Sequence, residues 1–251
     1  MSPLQSLLAH QPFLKVIAGI HNLDVASVRQ IAQAANQAHA HALDVAADPA
    51  IVSMARAEFT GILFASSVSP QALAEAVQYG ADVVELGNFD ALYKAGAFLT
   101  ASQVYELTEQ TVQAVKAINP QAGICVTIPG HLDATSQERL AHDCQLLGVD
   151  LLQTEGAVRL LNMTPAVKPL TPNEQLALTL NNTRTLVATQ TLPVMTATAL
   201  TPQTVHKAIQ AGACGVGVGQ AIRAQQTQKD MVLTIQSLLD ELRPQASVLS
   251  A

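Results

Sequence analysis

Eight short aliphatic runs recur along the chain, each followed by a longer stretch whose apolar positions repeat with helical spacing. They begin near Leu14 (LKVIA), His41 (HALDVA), Gly61 (GILFAS), Asp82 (DVVELG), Gly123 (GICVTI), Val149 (VDLLQT), Thr191 (TLPVMT) and Cys214 (CGVGVG). From each start to the next there are 27, 20, 21, 41, 26, 42 and 23 residues. A parallel crossover with its helix takes at least about 10–12 residues, so every interval holds one. Near-continuous aliphatic runs, rather than strict alternation, are what strands buried on both faces require. Eight such units in 251 residues predict one closed (β/α)8 barrel, the TIM barrel, spanning residues 1–251 as a single domain.

Local punctuation sets the register. Gly80, Gly148 and Gly212 each end an apolar helical stretch just before a strand, where a helix terminus favours a left-handed residue. Ser69-Pro70, Thr171-Pro172 and Thr201-Pro202 each pair an N-cap hydroxyl with proline at the first helical position. Thr171 and Glu174 also have capping-box spacing. The two longest irregular pieces, Asn88–Ala101 and Thr154–Thr171, both fall on strand-to-helix connections, and the first leads into a helix over Ser102–Ile118. That is the face on which barrel enzymes build their sites.

The eighth run, Gly215-Val216-Gly217-Val218-Gly219-Gln220-Ala221, is the sharpest local signal. Its G-x-G-x-G spacing at the far end of the chain is not a dinucleotide fingerprint. After the last strand of a barrel, such a segment opens a short helix whose free amides hold phosphate. Gly217 and Gly219 admit close backbone approach, and Gly219, Gln220 and Ala221 supply the amides. The loop after strand seven forms the other half of the cradle. Thr196 and Thr198 stand there where many phosphate-binding barrels have glycine, and their hydroxyls would replace amide contacts. The alternative is that Gly215 and Gly217 only relieve crowding inside a narrow barrel.

Polar side chains interrupt otherwise aliphatic strands at Lys15, Asp44, Glu85 and Gln153. Unpaired charge in a barrel interior costs several kcal/mol, so these groups must neutralise one another or serve a ligand. Lys15 and Asp44, on adjacent strands, are expected to pair. One reading makes Lys15 a Schiff-base or electrophilic amine with its pKa lowered by desolvation, and Asp44 or Glu85 the acid/base group. The other is a structural ion pair. Glu155, just past a strand end, is a further acid/base candidate, or else a partner for Arg159. His21, Asn22, Asn88, Asp90, His131 and Asp133 are placed on the rim. No histidine pair has the spacing of a dedicated metal site, so no metal is expected, and His39 and His41 fall at the opposite end.

Composition narrows the partners. The formal net charge is −6, with 13 basic and 19 acidic residues and no basic cluster, which argues against nucleic acid and anionic membrane. Charged residues are only 13% of the chain and there is no Trp, so aromatic cages and stacking platforms are poorly supplied. No apolar run reaches the roughly 18 residues of a membrane span, and Met1–Gln11 has no basic residue of the kind that starts a secretory signal. Cys125, Cys144 and Cys214 form no paired framework and are read as small hydrophobes in a reducing, cytoplasmic setting.

Five segments together carry a family resemblance: Lys15–Asn22 (KVIAGIHN), Leu43–Pro49 (LDVAADP), Glu85–Asp90 (ELGNFD), Gln153–Gly156 (QTEG) and Gly215–Gly219 (GVGVG). The chain resembles, over nearly its whole length, the hypothetical chloroplast open reading frame 23 proteins of cyanobacteria and algal plastids. That resemblance implies a barrel related to the ribulose-phosphate-binding group and a cytoplasmic or plastid-stromal setting; it implies no activity and transfers no catalytic residue.

The expectation from these residues is an enzyme of lyase, isomerase or decarboxylase type acting on a small phosphorylated or carboxylated metabolite, with no cofactor demanded and a homo-oligomer left open. Lys15, Asp44, Glu85 and Glu155 are its catalytic candidates. The competing expectation is a non-catalytic metabolite-binding or regulatory barrel that keeps the anion cradle alone.

Overall fold

A computed structural model describes residues 1–10, 12–87, 89, 98–156 and 170–243. The strands are β1 (Phe13–Gly19), β2 (Ala42–Ala46), β3 (Ile62–Ser67), β4 (Val83–Leu86), β5 (Gly123–Ile128), β6 (Leu151–Thr154), β7 (Val194–Ala197) and β8 (Gly215–Val218). They form a closed barrel in chain order, every pairing parallel, with β8 returning to β1. The expected strand starts lie within three residues of the observed ones.

The described helices are α1 (Pro3–Ala9), α2 (Val25–Gln37), α3 (Pro49–Glu58), α4 (Pro70–Gln78), α5 (Ala101–Ile118), α6 (Ala134–Leu147), α7 (Pro172–Thr189), α8 (Val205–Gln210), α9 (Gln220–Arg223) and α10 (Gln228–Leu242). Ser69 and Thr171 cap α4 and α7 as their sequences predict, Thr171 in a full capping box with Glu174. Gly80, Gly148 and Gly212 all have φ between +92° and +108°, as helix-ending glycines should. The third proline signal differs. Thr201 and Thr204 bond to each other in a turn, and the helix starts only at Val205. The long pieces at 90–97 and 157–169, with Asn88, Asp90 and Arg159, lie outside the described residues.

Strand alternation sorts the core into two compartments. Outward residues such as Leu14, Val16, Leu43, Val45, Val216 and Val218 pack beneath the helices. Inward residues Phe13, Ala42, Phe64, Val83, Cys125, Leu151 and Met195 fill the lower lumen together with Leu4 and Leu7 of α1. Helix α1 therefore plugs the N-terminal end of the barrel. Its start was legible in Ser2, Pro3 and Gln5, which form a capping box around proline at N1, but this element is missing from the strand-based sequence reading. At the eighth inward position of this layer stands Gly215, where a Cβ would lie 2.5 Å from the Phe13 ring. For Gly215 the crowding explanation holds.

At the N-terminal rim the side chains just before β2, β4 and β6 each accept an amide of the strand before. Asp82 takes Leu63 N at 2.9 Å, Asp150 takes Ile124 N at 2.9 Å, and His41 Nδ1 takes Leu14 N at 3.1 Å. Among the described helices none is long and apolar enough to cross a membrane.

Candidate active site in the barrel lumen

Directly above the apolar floor the barrel carries a polar layer. Lys15, Asp44, Ser66, Glu85, Thr127 and Gln153 point inward from β1 to β6, all of them buried. Strands β7 and β8 complete the layer with only Ala197 and Gly217. Polarity and bulk thus fill one side of the lumen, and the other is left small.

Lys15 Nζ donates to Glu85 Oε2 in a fully buried ion pair. Strands β1 and β4 are not neighbours, so this contact crosses the lumen. Glu85 Oε1 accepts Gln153 Nε2 at 2.7 Å and Thr127 Oγ1 at 3.2 Å, while Ser66 Oγ donates to Asp44 Oδ1. Lys15 Nζ also lies 4.8 Å above the centre of the Phe64 ring, which separates it from the floor. The expected Lys15–Asp44 pairing is thus replaced by one with Glu85, because an inward lysine stem reaches across the barrel more easily than along its wall. Asp44 still contributes through its charge.

The protonation state corrects a second expectation. Burial is the strongest influence on Lys15 and disfavours its charge, yet the carboxylates of Glu85 and then Asp44 outweigh it and raise the pKa above the ordinary lysine value. The resting group is an ammonium, not the free amine a Schiff base requires. Cys125 beside it is a thiol, its pKa driven well up by burial and then by the charge of Glu85. Burial likewise pushes Cys144 and Cys214 up to about 12. All three cysteines are free and buried.

Above this layer the C-terminal rim is built from loops. After β7, Thr198 and Ala199 have φ of +80° and +58°, a left-handed pair in which the β-branched Thr198 is the costly member. Among the described residues no carbonyl or side chain accepts the amides of Thr198, Ala199, Gly219, Gln220 or Ala221. Arg223 closes the rim. One turn after Gly219, its side chain folds back so that Nη1 donates to Ile17 O at 2.8 Å. A Cβ on Gly219 would sit 2.3 Å from that Nη1, so the glycine makes room for a guanidinium as well as for backbone approach. Sequence reasoning missed Arg223, although its place four residues after Gly219 was a usable signal.

Thr196 does not join the rim. It pairs with Val216, an outward position, and its hydroxyl lies 2.8 Å from that of Thr183 on α7. Side chains alternate with period two, so Ala197 takes the inward place and Thr196 belongs to the wall. Thr198, Gly217, Gly219, Gln220 and Ala221 do lie at the C-terminal ends of β7 and β8.

The acidic rim is largely engaged in structure. Asp24, Asp48 and Asp133 each cap the helix that follows, Asp133 with its pKa lowered by the amide and hydroxyl of Ser136. Glu155 is buried past the end of β6 and accepts Gly130 N at 3.3 Å. Asn22 bonds Ala18 O and Ser27 Oγ and shapes its own loop, while His21 beside it is exposed. His131 packs edge-on to Phe98 at 5.6 Å, its pKa lowered by partial burial. Among the described residues no group of three His, Cys, Asp or Glu side chains is arranged to hold a metal ion.

Two described cavities, of about 310 and 520 Å³, lie at the opposite end and share His10, His39 and His41. They border the α1 plug and the bases of the strands, away from the Lys15 layer.

A family described as protein of unknown function DUF561 matches residues 1–248. An uncharacterized protein ycf23 from Cyanophora paradoxa is 31% identical over 240 residues, covering 95% of this chain and 94% of that protein. The ycf23 protein of Antithamnion sp. is 30% identical over 246 residues, covering 95% and 86%. In fold the chain is similar to a 3-hexulose-6-phosphate synthase, with TM-score 0.65 and 17% identity over 92% of this chain and 99% of that one. It is also similar to KGPDC from Streptococcus mutans, with TM-score 0.64 and 13% identity over 93% and 98%. A third fold neighbour is the thiamine phosphate pyrophosphorylase from Pyrococcus furiosus, with TM-score 0.58 and 17% identity over 95% and 97%.

Proposed function

The chain belongs to the DUF561 family, and from that premise and the geometry of its lumen we propose an enzyme that forms an enolate from a small phosphorylated or carboxylated metabolite. The observation that carries the reading is a fully buried Lys15, ion-paired to Glu85 and influenced by the charge of Asp44, in the layer beneath a rim that carries Arg223 and amides with no acceptor among the described residues. Lyase, isomerase and decarboxylase chemistries share one difficulty, the negative charge that builds on a carbonyl oxygen. A preorganised ammonium in a water-poor lumen offsets that charge, and such electrostatic stabilisation is usually the largest single contribution to catalysis.

The residues divide the work. Glu85 is clamped by Lys15, Gln153 and Thr127 and fixes the position of the ammonium. Asp44 is the proton-transferring group. It takes a proton from the carbon next to the carbonyl, the electron pair left behind moves onto the carbonyl oxygen, and Lys15 faces that oxygen. When the deprotonated carbon bears a hydroxyl, transfer of that hydroxyl proton to the former carbonyl oxygen and return of the carbon-bound proton to the former carbonyl carbon complete an isomerisation; in a lyase or decarboxylase the electron pair comes from the broken carbon–carbon bond instead. Arg223, with the amides of Thr198, Ala199, Gly219, Gln220 and Ala221, grips the anionic end and supplies the orientation. Glu155 stands by as a second acid/base group at the rim. The phosphate esters named for two of the fold neighbours support a phosphorylated ligand.

The reading is tested by incubating the protein with a panel of ketose and aldose phosphates in D2O and following carbon-bound deuterium by NMR. Exchange at the carbon next to the carbonyl, lost in Asp44→Asn, is expected, and borohydride should leave Lys15 unlabelled. A stabilising thermal shift without exchange in any member of the panel would convert the protein into a binding barrel, and borohydride capture on Lys15 would restore the Schiff-base route.

A further inference from the structure

Gln153 sits in the polar layer with 1% of its surface exposed, and its amide nitrogen donates to Glu85 Oε1 at 2.7 Å and to Thr127 Oγ1 at 3.0 Å. Those bonds fix which way the amide faces, since turning it over would set its oxygen against the Glu85 carboxylate. The oxygen therefore points to the small side of the layer. Among the described residues, Gln153 Oε1 is the one buried side-chain nitrogen or oxygen without a hydrogen-bond partner. A buried carbonyl in that state is costly, and such orphans call for an explanation.

Its surroundings supply one. A Cβ placed on Gly217 would lie 3.5 Å from Gln153 Oε1, 3.3 Å from Ala197 Cβ and 2.9 Å from Ile17 Cδ1. Glycine at 217 and alanine at 197 thus keep the approach to this oxygen free of bulk, and the nearest obstacle is the mobile end of Ile17. Two residues further along the chain, about 7 Å at the usual strand rise and just past the end of β8, stands Gly219 at the rim with Arg223 beside it.

Resting on the reading of the rim as the anion grip, we infer that Gln153 Oε1 is the acceptor for a hydroxyl of the ligand, so that the site takes hydroxylated phosphate esters with the hydroxyl two or three carbons from the phosphate. The phosphate end stays at Gly219–Arg223, the carbon chain runs down past Gly217, and the hydroxyl hydrogen meets the carbonyl as the Ile17 methyl swings aside. Gln153 is then a specificity residue, and its other end keeps Glu85 in place.

Isothermal titration with sn-glycerol 3-phosphate, n-propyl phosphate and inorganic phosphate separates the two claims. The wild-type protein is expected to bind glycerol phosphate roughly tenfold more tightly than propyl phosphate, the usual effect of one hydrogen bond. Gly217→Ala should bring that ratio close to one. Equal affinities of wild type for the two esters would overturn the role of Gln153 and leave the anion grip standing. No binding of any of the three would overturn the grip and this inference together. The ester comparison uses the unaltered chain, so a Gly217→Ala variant that fails to fold does not affect it.

Discussion

At the scale of single residues, Lys15 shows how much one buried charge commits its neighbours. Lys15→Met leaves Glu85 and Asp44 as two carboxylates in a closed lumen, so urea unfolding should show a loss of about 3–5 kcal/mol. Adding Glu85→Gln removes the orphaned charge, keeps an acceptor for Gln153, and should recover most of that loss. Gly219 and Arg223 are tied in another way. Gly219→Ala sets a methyl where the guanidinium lies and Arg223→Gln removes the charge, so each should weaken phosphate binding by about tenfold. The double variant should be little worse than either single one, because both lose the same contact. Additive losses in titration calorimetry would mean that Gly219 acts only through its own amide. At this scale the sequence was a partial guide. A lysine and two acids on aliphatic strands announce a buried network, but which acid meets the lysine depends on distances across the lumen, and no sequence spacing encodes those. Thr196 was misplaced for a simpler reason: a one-residue shift in strand phase turns an inward side chain outward.

Among the secondary elements, helix ends and strand starts were the legible parts, since their chemistry is local. Gly148 and Gly212 separate two contributions to a helix stop. Both are left-handed, but a Cβ on Gly148 meets nothing within 4 Å, while one on Gly212 falls 2.6 Å from Val187. Gly148→Ala should therefore cost only the backbone penalty, about 1–2 kcal/mol, and Gly212→Ala distinctly more by the same unfolding measurement. The rim bonds from His41, Asp82 and Asp150 were not legible, because each joins residues 19 to 27 apart through register alone. His41 stands where the other two units use aspartate, and it brings a titration with it. Burial, then the nearby His10, lowers its pKa in the folded chain, and protonation would place a second donor against Leu14 N. The unfolded chain thus takes up a proton that the folded one resists, so stability contributed here is full above the ordinary histidine range near 6.5 and falls as pH drops below it. His41→Asn, an acceptor without that titration, should flatten the acid side of the stability profile. An unchanged slope would assign the acid sensitivity elsewhere.

Considered whole, the barrel is divided along its axis. Its lower end is sealed by Leu4 and Leu7 of α1 against Phe13, Phe64 and Leu151, and its polar layer begins immediately above that seal. A ligand that reaches Lys15 must enter from the C-terminal rim, and the two ends should respond independently to mutation. Leu4→Ala and Leu7→Ala each hollow the floor and should cost about 2–5 kcal/mol of stability. Neither touches Arg223, Gly217 or Gln153, so phosphate affinity measured well below the melting temperature should stay within about twofold, as expected for distant, independent sites. Hydrogen exchange offers the reciprocal check. Adding sn-glycerol 3-phosphate should slow exchange at the amides of residues 198–199 and 219–221, which have no protein acceptor among the described residues, and leave α1 unchanged. Protection appearing at His10, His39 and His41 instead would move the ligand to the cavities at the other end and reverse the polarity argued for the molecule. The eightfold alternation that made the barrel readable from sequence says nothing of this polarity by itself. It comes from a few departures from the repeat: a plug before β1, six polar residues in one layer, and two strands that carry almost nothing there.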